Sequence, residues 1–164
     1  MKKARPCVLV FFINPAEKWI YLARKYAKSP VGPNTWNGYG GGINDGETEK
    51  SAVVRETREE AGGGLTFDEV DLIPRGEVTF YHFDHQPICA VRLFVCFKFN
   101  GEPVATKEML DPRRVPFLQI SSLKMMPGDK LFIPLLLMGK SITNGYIIFN
   151  KKMSGVEDYS LPTC

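Results

Sequence analysis

The chain holds only four cysteines, Cys7, Cys89, Cys96 and Cys164, and none has the paired spacing of a metal site. They are too sparse for the disulfide framework of a small secreted domain, so a reducing, cytoplasmic compartment is expected. The two histidines, His82 and His85, lack a zinc-type spacing and read as surface or pocket residues. No apolar run approaches the roughly 20 residues that span a bilayer, which excludes a membrane helix. The start MKKARPCVLVFFIN imitates a signal peptide, but its apolar stretch ends at Asn14-Pro15 and no small-x-small cleavage site follows. It reads instead as a first strand. An excess of one charge is also missing: 21 Lys and Arg oppose 18 Asp and Glu, mixed along the chain. That balance gives no nucleic-acid surface. Internal repeats and low-complexity segments are absent.

What is present suits one domain over residues 1–164, with 44% hydrophobic residues to fill a core. Apolar, β-branched and aromatic runs bounded by turn residues predict strands at Cys7–Ile13, Trp19–Ala23, Glu77–Phe83, Ile88–Phe99, Val115–Gln119 and Tyr146–Phe149. A helix is predicted over Glu49–Ala61, capped by Thr48. A second spans roughly Lys130–Lys140, with Pro134 required in its first turn. Loops fall at Ser29–Asn34, Gly62–Gly64, Asn100–Glu102 and Ser141–Gly145. Strands around two helices predict a sheet packed between helices, of α/β or α+β type.

The chemistry concentrates in GGINDGETEKSAVVRETREEAGG, residues 41 to 63. Glu56, Glu59 and Glu60 stand at i, i+3 and i+4, so a helix presents them on one stripe, where they repel one another. Alone, three such acids are an ordinary solvated face balanced by Lys50, Arg55 and Arg58. They also make a hard-oxygen site of the kind Mg²⁺ takes, which needs few carboxylates when water and phosphates complete its shell. A calcium loop at Ile43–Glu47 is excluded because its alternating acids and distal Glu are missing.

Gly41, Glu47, Arg55-Glu56, Glu59-Glu60 and Gly62 decide between the two. Their spacing resembles the signature of the Nudix hydrolases, with all seven fixed positions matched. Thr57 and Gly63 depart from it, standing where aliphatic residues are usual. The resemblance implies a Nudix α/β/α sandwich with a mixed sheet between helices. It implies that Glu56, Glu59 and Glu60, with the Gly40 carbonyl and Glu108, hold Mg²⁺, for which Mn²⁺ can substitute. Arg55 would hold Glu47 by forked hydrogen bonds. A water polarised by the metal and deprotonated by a carboxylate, Glu56 or Glu108, would then attack a diphosphate bridge.

Further stretches, TWNGYGGG, EPVATKEM, PLLL, NGYIIF and EDYSL, are similar to the MutT-like branch that hydrolyses oxidised purine nucleoside triphosphates. That similarity runs over nearly the whole chain. It implies a monomer that releases nucleoside monophosphate and pyrophosphate and so cleans the nucleotide pool. Its partner is a small nucleotide, not a nucleic acid or a membrane. By it Asn37 and Asp129 would read the base, Phe80 would line its pocket, Lys25 would lie near the ligand, and Met126 would stand where the branch has a stacking Trp. From the residues alone Phe80 could be core and Asn37 could serve the turn before Gly38. Gly128 replaces one of two adjacent acids and His82 a second strand aromatic, so base selection is altered while phosphate chemistry is intact. Two alternatives remain at this stage: another diphosphate-linked substrate, such as a dinucleoside polyphosphate, nucleotide sugar or RNA cap, or a Nudix module that only binds.

Overall fold

The structure, a computed structural model, describes residues 2–164. Its elements in chain order are β1 (Arg5–Asn14), β2 (Trp19–Lys25), β3 (Trp36–Asn37), β4 (Tyr39–Gly42), α1 (Glu49–Ala61), β5 (Leu65–Thr66), β6 (Leu72–Tyr81), β7 (Pro87–Cys96), β8 (Asn100–Gly101), β9 (Met109–Pro116), α2 (Asp129–Leu137), β10 (Ile142–Phe149) and β11 (Val156–Ser160). The main sheet runs β11-β10-β6-β7-β1-β2-β3, with β4 paired to β1 and β9 to β2. It is mixed: β1 lies parallel to β7 and β6 parallel to β10, while the other pairs are antiparallel.

The apolar run in β1 has a reason in the layers. Phe11 and Ile13 face a cluster that contains Phe132, Ile133 and Leu136 of α2. Val8, Val10 and Phe12 face a second cluster, with Ala52, Val53 and Ala61 of α1. A strand covered on both faces is apolar at successive positions and does not alternate. The sheet therefore lies between α1 and α2, the expected α/β/α order.

β1 also divides along its length. Cys7 to Val10 pair with Gly42 to Tyr39 of β4, whereas Ile13 and Asn14 pair with Ile20 and Trp19 of β2. The two partners leave the same edge of β1 in turn, which sets β4 under α1.

Several boundaries differ from the sequence expectation. β4, YGGG, is absent from the expected strands because glycine is a poor strand former; its pairing is imposed by β1. The strand expected at Val115–Gln119 is instead β9, which ends at Pro116, and Phe117–Ser122 forms 3₁₀ turns. MLDPRRVP lacks apolar alternation, and Pro112 is tolerated at the sheet edge. Ser141–Gly145, expected as a loop, mostly belongs to β10. The last strand, β11, carries the exposed pattern VEDYS and gave no signal. α2 begins at Asp129, so Pro134 lies in its second turn and not in its first. The helix ends at a glycine cap: Gly139 lies at φ 76°, and the Gly139 and Lys140 N–H groups donate to the Leu136 and Leu135 carbonyls at 3.0 Å each.

Candidate active site

α1 carries the acid stripe, and local chemistry fixes both of its ends. The Thr48 hydroxyl accepts from the Ser51 N–H at 3.1 Å. Gly62 closes the helix at φ 69°, a conformation that favours glycine, and a side chain there would run into Val104. Thr57 is buried on the sheet side, filling the place of the usual aliphatic residue, and its hydroxyl has no partner. Gly63 sits exposed in the turn beyond.

Arg55 organises the stripe. Its Nε and Nη2 donate to the two Glu47 oxygens at 2.8 Å each, the fork expected from the sequence. Nη1 donates to Glu56 at 2.8 Å and Nη2 also to the Gly42 carbonyl at 2.9 Å. The fork, with the Asn44 N–H, holds Glu47 well below the usual carboxylate range. One guanidinium thus ties the helix to the loop before it and to the end of β4. Gly41 makes room for this: a Cβ there would meet the Glu56 carboxylate at 2.5 Å.

Glu60 turns inward. The Gly40 N–H donates to it at 2.7 Å, yet burial, reinforced by the negative Glu56 and Glu108, raises its pKa to about 8. Glu108 reaches the stripe because its loop is docked on the end of α1. The Val104 N–H donates to the Ala61 carbonyl and the Thr106 hydroxyl to the Glu60 carbonyl, both at 2.9 Å. The Glu108 carbonyl also accepts from the Tyr26 N–H at 3.1 Å. Among the described residues no three acids converge into a preformed metal cage. The donor set still fits a hard cation: carboxylates only, one buried, crowded by like charge that a cation would neutralise.

The other end of the cleft is made by α2 and the strands. The Trp36 N–H bonds to the Lys124 carbonyl at 2.8 Å, holding β3 against the segment that enters α2. This brings Asn37 Nδ2 to 3.2 Å from Asp129 Oδ2, where it donates. Asn37 Oδ1 accepts from the Gly38 N–H at 2.8 Å, so Asn37 serves the turn and meets Asp129 together. Burial pushes the Asp129 carboxyl up to about 7, with Lys25 pulling the other way. Phe80 likewise has both expected roles: it packs in the core, stacked on Phe149 at 5.7 Å, and it lines the cleft.

A single cleft of about 650 Å³ joins the two ends. Gly40, Glu56, Glu59, Glu60 and Glu108 line one part, and Lys25, Asn37, Phe80, Met126 and Asp129 the other. Arg55 stands behind the wall. His82 is exposed and outside the lining, so it does not replace a pocket aromatic. The sequence reading missed Cys7, Leu9, Tyr26, Cys89 and Met153, which also line the cleft. None of them carried a signal: β1 is apolar at successive positions, so nothing in it marks Cys7 and Leu9 as cleft residues.

A glutamate stripe capped by glycines, clamped by an arginine fork and set on a mixed sheet between helices defines a Nudix hydrolase. The chain belongs to this family, matching the NUDIX domain over residues 3–136. Within it, the chain is 31% identical over 160 residues to the oxidized purine nucleoside triphosphate hydrolase of Danio rerio, covering 92% of this chain and 94% of the relative. It is 30% identical over 140 residues to the Mus musculus protein of the same name, covering 85% and 84%. The crystal structure of the MutT protein from Bacillus halodurans shares the fold at a TM-score of 0.75 and 18% identity, covering 96% and 97%.

Proposed function

We propose that this enzyme hydrolyses oxidised purine nucleoside triphosphates, the substrate class in the names of its relatives in Danio rerio and Mus musculus, and that its products are the monophosphate and pyrophosphate. The observation that carries this is the continuity of the cleft: the acid stripe and the Asn37–Asp129 pair open into one space. A triphosphate at the acids leaves its base within reach of that pair.

Glu56, Glu59 and Glu60, with Glu108 and the Gly40 backbone alongside, would hold Mg²⁺, or Mn²⁺ in its place. When bound, the ion neutralises phosphate oxygens and makes water more acidic. Arg55 keeps Glu47 and Glu56 in place, so the stripe does not spread under its own repulsion. Glu56 and Glu108 are the two carboxylates available to take the proton of the attacking water. Lys25 adds positive charge to the cleft. At the base end Asn37 and Asp129 supply hydrogen bonds in a buried setting, where an unmatched edge costs most, and Phe80 and Met126 give apolar walls. The protein acts as a cytoplasmic monomer on small nucleotides.

The test is a nucleotide panel, oxidised and normal dGTP and dATP beside a dinucleoside polyphosphate and a nucleotide sugar, each with and without Mg²⁺. Pyrophosphate released fastest from an oxidised purine triphosphate, and only with the ion, is expected. Faster turnover of a diphosphate-linked compound would move the substrate elsewhere in the family, and no turnover of any member would leave a binding module.

A further inference from the structure

Two of the four cysteines meet on the floor of the cleft. Cys7 lies on β1 and Cys89 on β7, which run side by side in parallel with Cys7 opposite Val91 and Cys89 opposite Arg5. They are therefore diagonal neighbours on one face of the sheet, both half-buried against the α2-side core. Both line the cleft, and Cys89 also stands opposite Phe80 in the β6–β7 pairing. Cys96 is buried on the other face and Cys164 is at the exposed C-terminus, so neither reaches this place.

We propose that Cys7 and Cys89 are an oxidative modification site inside the nucleotide cleft, which a peroxide converts to a disulfide and which a thiol reductant restores. The Cys7 sulfur attacks one peroxide oxygen, the O–O bond breaks and hydroxide leaves, so sulfur is oxidised by two electrons to the sulfenic acid and the peroxide is reduced. The Cys89 sulfur then attacks the Cys7 sulfur. The S–S bond forms, the S–O bond breaks, and the oxygen departs as water with the Cys89 proton.

The surroundings favour this order. The neighbouring Cys89 thiol, with Arg5 nearby, brings the Cys7 thiol down to about 7 against the effect of burial; the same neighbour and burial push Cys89 up. Cys7 is the attacking thiolate and Cys89 the resolving thiol. Diagonal neighbours on adjacent strands have Cα atoms roughly 7–8 Å apart, beyond the reach of an ordinary disulfide, so this one closes only with movement of the backbone. Closing the bond therefore draws in the beginning of β1. That stretch pairs with Gly40 to Gly42, against which Glu56 and Glu60 are seated, so the acid stripe is disturbed when the bond forms. A bond closed under strain is also easily reduced.

The purified full-length protein is treated with hydrogen peroxide, digested without reduction and mapped by mass, with nucleotide hydrolysis followed in parallel. A Cys7–Cys89 linked peptide is expected, with hydrolysis reduced about 10-fold, and dithiothreitol should reverse both. In Cys89→Ser the reaction should stop at a Cys7 sulfenic acid that dimedone traps, and in Cys7→Ser no link should form. The proposal is overturned if Cys7 and Cys89 remain free while Cys164 oxidises, or if the link forms and hydrolysis is unchanged. The mass map does not depend on which nucleotide the cleft takes, so its outcome is separate from that of the substrate panel.

Discussion

Asp129 offers the sharpest quantitative test because a single substitution reports on both stability and recognition. Its carboxyl is buried and moves from the ordinary 3.8 to about 7, the main cause being desolvation. At about 1.4 kcal/mol per pH unit, that displacement corresponds to roughly 4 kcal/mol. The folded protein keeps this proton up to about pH 7, while the unfolded chain loses it near 3.8. Between those values the folded state binds more protons, so stability falls as pH rises through the window and is level above it. Asp129→Asn removes the titration yet still accepts from Asn37 Nδ2 through its amide oxygen. Urea unfolding near pH 5 and near pH 8 should show the variant gaining on the wild type by roughly 3 kcal/mol from the lower to the higher pH, the part of the window that lies above pH 5. A difference that stays constant between the two would refute the buried, proton-holding carboxyl. In the same protein, a group with a pKa of about 7 donates below that pH and accepts above it. Asp129→Ala, which does neither, should therefore lower kcat/KM for the best purine by about 10-fold or more and leave poor substrates little changed. Equal losses on all substrates would make Asp129 a support of the fold.

Glu60→Gln and Glu59→Gln should each lower kcat by about 10² or more. Glu60→Gln should keep or raise the urea midpoint near pH 8, since the Gly40 N–H retains an acceptor and a buried charge is removed; wild-type rates in both variants would exclude the stripe from catalysis. Arg55→Lys keeps the charge but cannot span both Glu47 oxygens, Glu56 and the Gly42 carbonyl. Its kcat should fall while the Mg²⁺ concentration for half-activity moves modestly, and an unchanged kcat would reduce Arg55 to a surface charge. Gly128 lies at φ −65°, open to any residue, but a Cβ there would stand 3.0 Å from Phe80 and 3.1 Å from Ile147. Gly128→Asp should thus cost about 1–3 kcal/mol by overpacking, measured by urea unfolding, and it presses on the Phe80 wall; an undiminished midpoint would show that the wall yields freely.

Beyond the Arg55–Glu47 fork, which rested on the family resemblance, the sequence by itself determined α1, its Thr48 cap and Gly62 stop, the acid stripe and the central strands. Each rests on neighbours within a turn or two, or on a strand period, and such short-range patterns are written in the order of residues. What only the tertiary structure decided are the meetings of distant segments. Asn37 and Asp129 lie 92 positions apart and bond because β3 docks against the entry to α2. Glu108 approaches Glu60 because its loop is hydrogen-bonded to the end of α1. The glycine-rich β4 is a strand because β1 pairs with it. Desolvation decided the rest: the same carboxylate is an ordinary acid in water and a proton holder when burial and two neighbouring charges surround it, as at Glu60. A linear sequence carries no measure of that burial, because burial belongs to the packed layers on both sides of the sheet.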